Sequence, residues 1–129
     1  NYSWYSNLIK PSWSPPSWLF GSVWSLLYIL IAYTFGTVFY KFLNKQVPWN
    51  IALPFLLNLI FNFVFTYIQF NLKNNELAFV DVILVLLTLI WAMYSIWPYN
   101  RSLALLNIPY LMWVSFASVL QGTITYLNR

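Results

Sequence analysis

The chain has 129 residues, 61% of them hydrophobic and 6% charged, with a formal net charge of +4 and neither His nor Cys. A soluble domain carries about 25% charged residues; here Lys10, Lys41, Lys45, Lys73, Arg101 and Arg129 stand against Glu76 and Asp81, too few to cover a globule. The soluble class is excluded, and so are zinc and iron–sulfur sites, disulfides, thiol nucleophiles and any Ser-His-Asp triad.

Residues 1–16 do not read as a signal peptide, which opens basic and then turns apolar. The run Trp4-Tyr5-x-x-Leu8-x-Lys10-Pro11-Ser12-Trp13-x-Pro15-Pro16-x-Trp18 is aromatic, polar and stiffened by three prolines. An aromatic belt at the headgroup level is one reading. A rigid aromatic flap over a pocket is the other, and the proline-locked spacing tilts toward it.

The charges divide the rest of the chain into four uncharged stretches. A bilayer core of about 30 Å needs about 20 helical residues, so each stretch accommodates a spanning helix. The expected spans are Ser17–Phe42, Trp49–Phe70, Leu77–Trp97 and Ser102–Leu127. Open β structure is excluded by the cost of unpaired backbone groups in lipid. The turns are short and polar: residues 44–48, residues 71–76 and Pro98-Tyr99-Asn100-Arg101. Consecutive helices therefore run antiparallel, and Pro54 and Pro109 are expected in the first turns of their helices, where a lost donor costs least. The fold class is all-α, a polytopic transmembrane helix bundle forming a single domain over residues 1–129. Lys10, Lys73 and Arg129 fall on one side and Lys41, Lys45 and Arg101 on the other, so the positive-inside rule selects no orientation.

Three polar or small-residue features stand out from the apolar background. Asn58, Asn62, Thr66 and Gln69 share one face of the second span, Asn62 about 40° and Gln69 about 20° from Asn58 at helical pitch. Such a stripe either hydrogen-bonds neighbouring helices or meets the polar edge of a ligand. Asp81, one turn into the third span, suits a helix N-terminus; deeper burial would make it a counter-ion. Glu76, placed in the loop before it, forms no acid/base couple with it. Gly21 and Ser25, Ala32 and Gly36, and Ser118 and Gly122 are small pairs four apart, open to either intramolecular packing or a homodimer face.

The segment Trp4-Tyr5-Ser6-Asn7-Leu8-Ile9-Lys10-Pro11-Ser12-Trp13-Ser14-Pro15-Pro16-Ser17-Trp18-Leu19-Phe20-Gly21-Ser22-Val23-Trp24-Ser25-Leu26-Leu27-Tyr28 closely resembles the signature of the TspO/MBR family, the translocator proteins or peripheral-type benzodiazepine receptors. Asn62 with Phe65, then Ala78-Phe79-Val80-Asp81, then Ile108-Pro109-Tyr110-Leu111-Met112-Trp113-Val114-Ser115-Phe116-Ala117, resemble its later helices in order. The resemblance covers essentially the whole chain, and to bacterial-type members in particular.

The resemblance implies five transmembrane helices, of which the chain carries four, so the intact protein is expected to be longer. It implies a multi-pass protein of the bacterial cell membrane, with the lipid bilayer as its surroundings and no nucleic-acid partner. It also implies a hydrophobic pocket that binds porphyrins and other tetrapyrroles, carried over to Trp24, Tyr28, Asn62, Phe65, Trp113, Phe116 and Ala117. A porphyrin is a wide apolar disc with carboxylates on one edge, which suits aromatic walls and a few polar donors. No cofactor or metal is required, and the lack of His favours a metal-free, protoporphyrin-type ligand. The implied function is a tetrapyrrole-binding sensor, scavenger or transporter. The alternative is an enzyme that degrades porphyrin in light through Trp24. Two departures bear on the last helix: Gln121 replaces the family's Asn, and Gly122 stands where some bacterial relatives have Trp.

Overall fold

A computed structural model describes residues 9–14, 17–68 and 74–128 of the protein. Among the described residues five helices follow one another: α1 (Ser17–Leu43), α2 (Trp49–Tyr67), α3 (Asn75–Ile96), α4 (Arg101–Leu106) and α5 (Ile108–Leu127). The described residues contain no strand. Four stretches of the described residues are long and apolar enough to cross a bilayer, the last being α4 and α5 in succession. The expected all-α membrane bundle is what forms.

The helix ends have local causes. α1 closes on Lys45, whose φ of 59° places it in the left-handed region. The Lys45 amide donates to the Phe42 carbonyl at 3.0 Å and the Gln46 amide to the Lys41 carbonyl at 2.8 Å. This paired closure satisfies carbonyls that an α-helix leaves orphaned at its C-terminus. The third span begins earlier than the sequence implied. Asn74 accepts from the Leu77 amide at 3.0 Å, so Glu76 lies in the first turn of α3 rather than in a loop. Phe70 and Gln69, expected at the end of the second span, fall outside the described residues.

The fourth span is not one helix from Ser102 to Leu127. It breaks at Asn107, with φ −86° and ψ 2°. Pro109 supplies the reason: it has no amide proton for the preceding turn and disfavours helical backbone at Ile108. Pro109 does fall in the first turn of its helix, as expected, but that helix is α5 and not one long fourth span. Pro54, expected in the first turn of α2, lies inside that helix instead. The fully buried Asn107 satisfies the junction itself. Its Nδ2 donates to the Leu103 carbonyl at 2.8 Å, and its Oδ1 accepts from Thr34 Oγ1 at 3.3 Å.

In space, α3 is central, packed on α2 along one side and α5 along the other, while α1 leans on α2 and α4. Phe35 and Phe55 meet edge to face at 4.8 Å in the middle of the core. Lipid gives no hydrophobic drive for helix association, so close packing and small residues must hold the bundle. Gly122 serves that purpose, since a Cβ there would lie 2.9 Å from the Phe79 ring. Gly21 and Gly36 do not: no atom lies within 4 Å of a Cβ at either. Ser25, Ala32 and Gly36 are exposed, and intramolecular packing accounts only for the Ser118–Gly122 pair.

Candidate functional site

The half of the bundle near the start of α1 encloses a cavity of about 240 Å³. α1 contributes Phe20, Trp24 and Tyr28 to its wall, and α2 contributes Asn62, Phe65 and Thr66. α3 supplies the apolar floor through Val82 and Val85. α5 closes the space with Trp113, Val114 and Ala117, then Leu120, Gln121 and Ile124 one and two turns on. Six of the seven site residues named from the sequence, Trp24, Tyr28, Asn62, Phe65, Trp113 and Ala117, are thus brought together around one cavity.

Phe116 is placed differently. It turns away from the lining and packs against Trp113 at 5.5 Å and Trp13 at 5.9 Å. Trp13 belongs to residues 9–14, which are tied to the end of α5 by Asn128. Its Oδ1 accepts from the Ile9 amide at 3.1 Å and its Nδ2 donates to the Ile9 carbonyl at 2.8 Å. This part of the proline-rich run therefore lies against the end of α5, whereas Trp18 is 70% exposed, as a belt residue would be. Trp4 lies outside the described residues.

Polar groups are few and ordered. Tyr28 Oη donates to Asn62 Oδ1 at 2.9 Å, and Asn62 Nδ2 donates to Tyr110 Oη at 2.9 Å. Tyr110 Oη donates in turn to Asn58 Oδ1 at 2.7 Å. Asn58 Nδ2 ends the chain on the Val85 carbonyl at 2.8 Å and Thr88 Oγ1 at 3.1 Å. The chain runs from the cavity wall into the core and joins α1, α2, α5 and α3. Of the two roles that the sequence left open for the polar face of α2, the interhelical one is formed at both asparagines. Asn58 is wholly interhelical, whereas Asn62 is interhelical and also lines the cavity. Thr66 lines it too, and Gln69 lies outside the described residues.

Gln121 resolves one departure from the family signature. Its Nε2 lies 3.3 Å from Asn75 Oδ1 and 3.4 Å from the Asn75 carbonyl, binding α5 to the first turn of α3. Asp81 is buried within the bundle, 4% exposed, and its Oδ2 has no hydrogen-bond partner among the described residues. It does not line the cavity. Trp113 does, and its Nε1 is a buried donor that also lacks a partner among the described residues.

Sequence reading missed Phe20, Val82, Val85, Val114, Leu120 and Ile124. On helices apolar all round, a residue facing a cavity carries no mark that separates it from one facing lipid. It also missed Tyr110 as the hub of the polar chain, although that residue stands inside the last helix signature.

The class defined by this architecture is a multi-pass integral membrane protein: spanning helices around an aromatic cavity with a sparse polar edge. The TspO/MBR family model matches residues 1–127, and the chain belongs to that family. It is 39% identical over 126 residues to the tryptophan-rich protein TspO of Bacillus cereus, a match covering 98% of this chain and 81% of that protein. It is 31% identical over 126 residues to the tryptophan-rich sensory protein of Cereibacter sphaeroides, covering 97% and 77% respectively. The human translocator protein is 33% identical over 126 residues, covering 91% of this chain and 70% of its own.

Proposed function

We propose that this membrane protein binds a flat aromatic ligand of the tetrapyrrole type in the α1–α2–α3–α5 cavity and acts as a sensor, scavenger or transporter for it. One observation carries the reading: the cavity wall combines aromatic faces with a short polar edge at Tyr28 and Asn62. That composition suits a ligand whose body is apolar and whose few polar atoms fix its orientation. The volume of about 240 Å³ lies below the usual range for drug-sized ligands. It suits one edge of a tetrapyrrole, or a smaller tricyclic aromatic entirely. The name of the Cereibacter relative supports the sensing branch for that protein, and by kinship for this one.

A specific contact favours photochemical breakdown as a second reading. The Trp24 ring lies 5.6 Å from Tyr28 and 6.4 Å from Tyr110, so an oxidisable indole has phenols on two sides. Against it, the Gly122 position is closed by Phe79 and offers no second tryptophan there.

Titrating protoporphyrin IX into the protein in lipid nanodiscs, in the dark, tests the first reading. Saturable quenching of tryptophan fluorescence, above that of empty discs, is expected. Purely linear quenching would sink it. Repeating the titration under illumination tests the second, for which bleaching of the porphyrin bands is required.

A further inference from the structure

The polar chain has a direction, and valence alone fixes it. At the inner end, one atom of the Asn58 carboxamide lies 2.8 Å from the Val85 carbonyl. A backbone carbonyl only accepts, so that atom is the amide nitrogen and the other is the oxygen. The oxygen faces Tyr110 at 2.7 Å, so the single hydroxyl proton of Tyr110 is given to Asn58. Tyr110 then meets Asn62 as an acceptor, at 2.9 Å, which requires the Asn62 nitrogen on that side. The Asn62 oxygen is left facing Tyr28, which must donate to it, again at 2.9 Å.

Tyr28 and Asn62 line the cavity, while Tyr110 is fully buried behind them. The polar edge turned toward the cavity is therefore an acceptor edge. Asn62 presents its oxygen side, and the Tyr28 oxygen has sent its proton inward. We infer that Tyr110, without touching the cavity, is a positioning residue that fixes this polarity, so that the site selects ligands presenting an N–H or O–H donor to the Tyr28–Asn62 edge. This rests on the ligand-binding reading above and names the kind of ligand group that the site takes. Removing the Tyr110 hydroxyl frees the Asn62 carboxamide to turn over, and the selection is lost.

The test uses two probes of nearly the same outline, carbazole with one N–H donor and dibenzofuran with an ether oxygen in its place. Affinities are measured by tryptophan quenching in phosphatidylcholine nanodiscs, with empty discs correcting for partition. The unsubstituted protein is expected to bind carbazole about tenfold more tightly than dibenzofuran. Tyr110→Phe is expected to bring the ratio close to one. A merely structural role for Tyr110 would lower both affinities together and leave the ratio unchanged, and that result overturns the inference. Should Tyr110→Phe not fold, Tyr28→Phe decides at the half-exposed end of the chain. There the Asn62 oxygen stays held toward the cavity, and the carbazole preference must persist; parity or a dibenzofuran preference overturns the inference. Equal binding of both probes by the unsubstituted protein overturns the polarity alone, whereas no binding of either probe or of protoporphyrin IX overturns the ligand-binding reading with it.

Discussion

The Tyr110 hydroxyl donates to Asn58 Oδ1 at 2.7 Å in a place where neither residue is exposed at all. Asn58 also donates to the Val85 carbonyl and to Thr88, so one side chain of α2 is bonded to both α3 and α5. Interhelical hydrogen bonds in membranes average about 0.6 kcal/mol each, and orphaning the partners adds to the loss. Asn58→Leu is expected to cost about 2 kcal/mol of stability. Unfolding in mixed micelles with increasing dodecyl sulfate measures it, and an unchanged midpoint would show that these bonds do not hold the bundle.

Asn62 sits one turn further along α2 and should respond in two ways at once. Asn62→Leu breaks the bonds to Tyr28 and Tyr110 and removes a group from the cavity wall. A stability loss of about 1 kcal/mol is expected, together with weaker protoporphyrin IX binding by about 1–3 kcal/mol. Leucine is close in volume, so little of either comes from a void. Lower stability with intact affinity would leave Asn62 a packing residue only.

Trp24 tests the aromatic wall. It lines the cavity and contacts Tyr28 and Tyr110 through its ring. Trp24→Ala is expected to weaken protoporphyrin IX binding by about 1–3 kcal/mol, the range for a large aromatic contact. Titration of a folded variant with undiminished affinity would place the ligand elsewhere.

Lys45 holds a left-handed conformation that costs an ordinary side chain about 1 kcal/mol, and its φ of 59° is the only positive value among the described residues. Glycine bears no such cost at the residue that closes a helix. Lys45→Gly is expected to raise the thermal midpoint, by about 1 kcal/mol of stability, and Lys45→Val to lower it. Equal midpoints for the two variants would mean the turn simply rearranges.

How much of the fold and site was legible depends on the physical demand behind each feature. Spanning segments were, because a bilayer sets a minimum apolar length and six basic residues punctuate the chain. The break at Asn107 was not, since counting charges sees one uncharged stretch from Ser102 to Leu127 and does not register that Pro109 opens a second helix within it. Angle around α2 put Asn58 and Asn62 on one face, correctly. It could not separate them by depth along the axis, which makes one a core residue and the other part of the wall. On α5 the resemblance named Phe116 and Ala117 together, yet neighbours on a helix point about 100° apart. Ala117 faces the cavity, and Phe116 turns to Trp13.

The glycines of α1 and α5 make opposite predictions from the same substitution. Glycine inside a helix is less favourable than alanine by about 0.5–1 kcal/mol, because it gives up more backbone freedom. At Gly36 nothing lies within 4 Å of an added Cβ, so Gly36→Ala should keep that gain and be neutral or more stable in detergent. At Gly122 the same Cβ falls 2.9 Å from the Phe79 ring, where α5 and α3 approach closely. Overpacking of this kind costs about 1–3 kcal/mol, which outweighs the propensity gain, and Gly122→Ala should lower stability by about 1 kcal/mol net. The ring is the element in the way, so Phe79→Leu should remove most of the penalty, and a double-mutant cycle reads the coupling directly. A coupling near zero would mean that the ring swings aside without cost and that Gly122 does not set the spacing of α3 and α5. A destabilised Gly36→Ala, by contrast, would show that the exposed small-residue face of α1 is in contact with something when the protein is in a membrane.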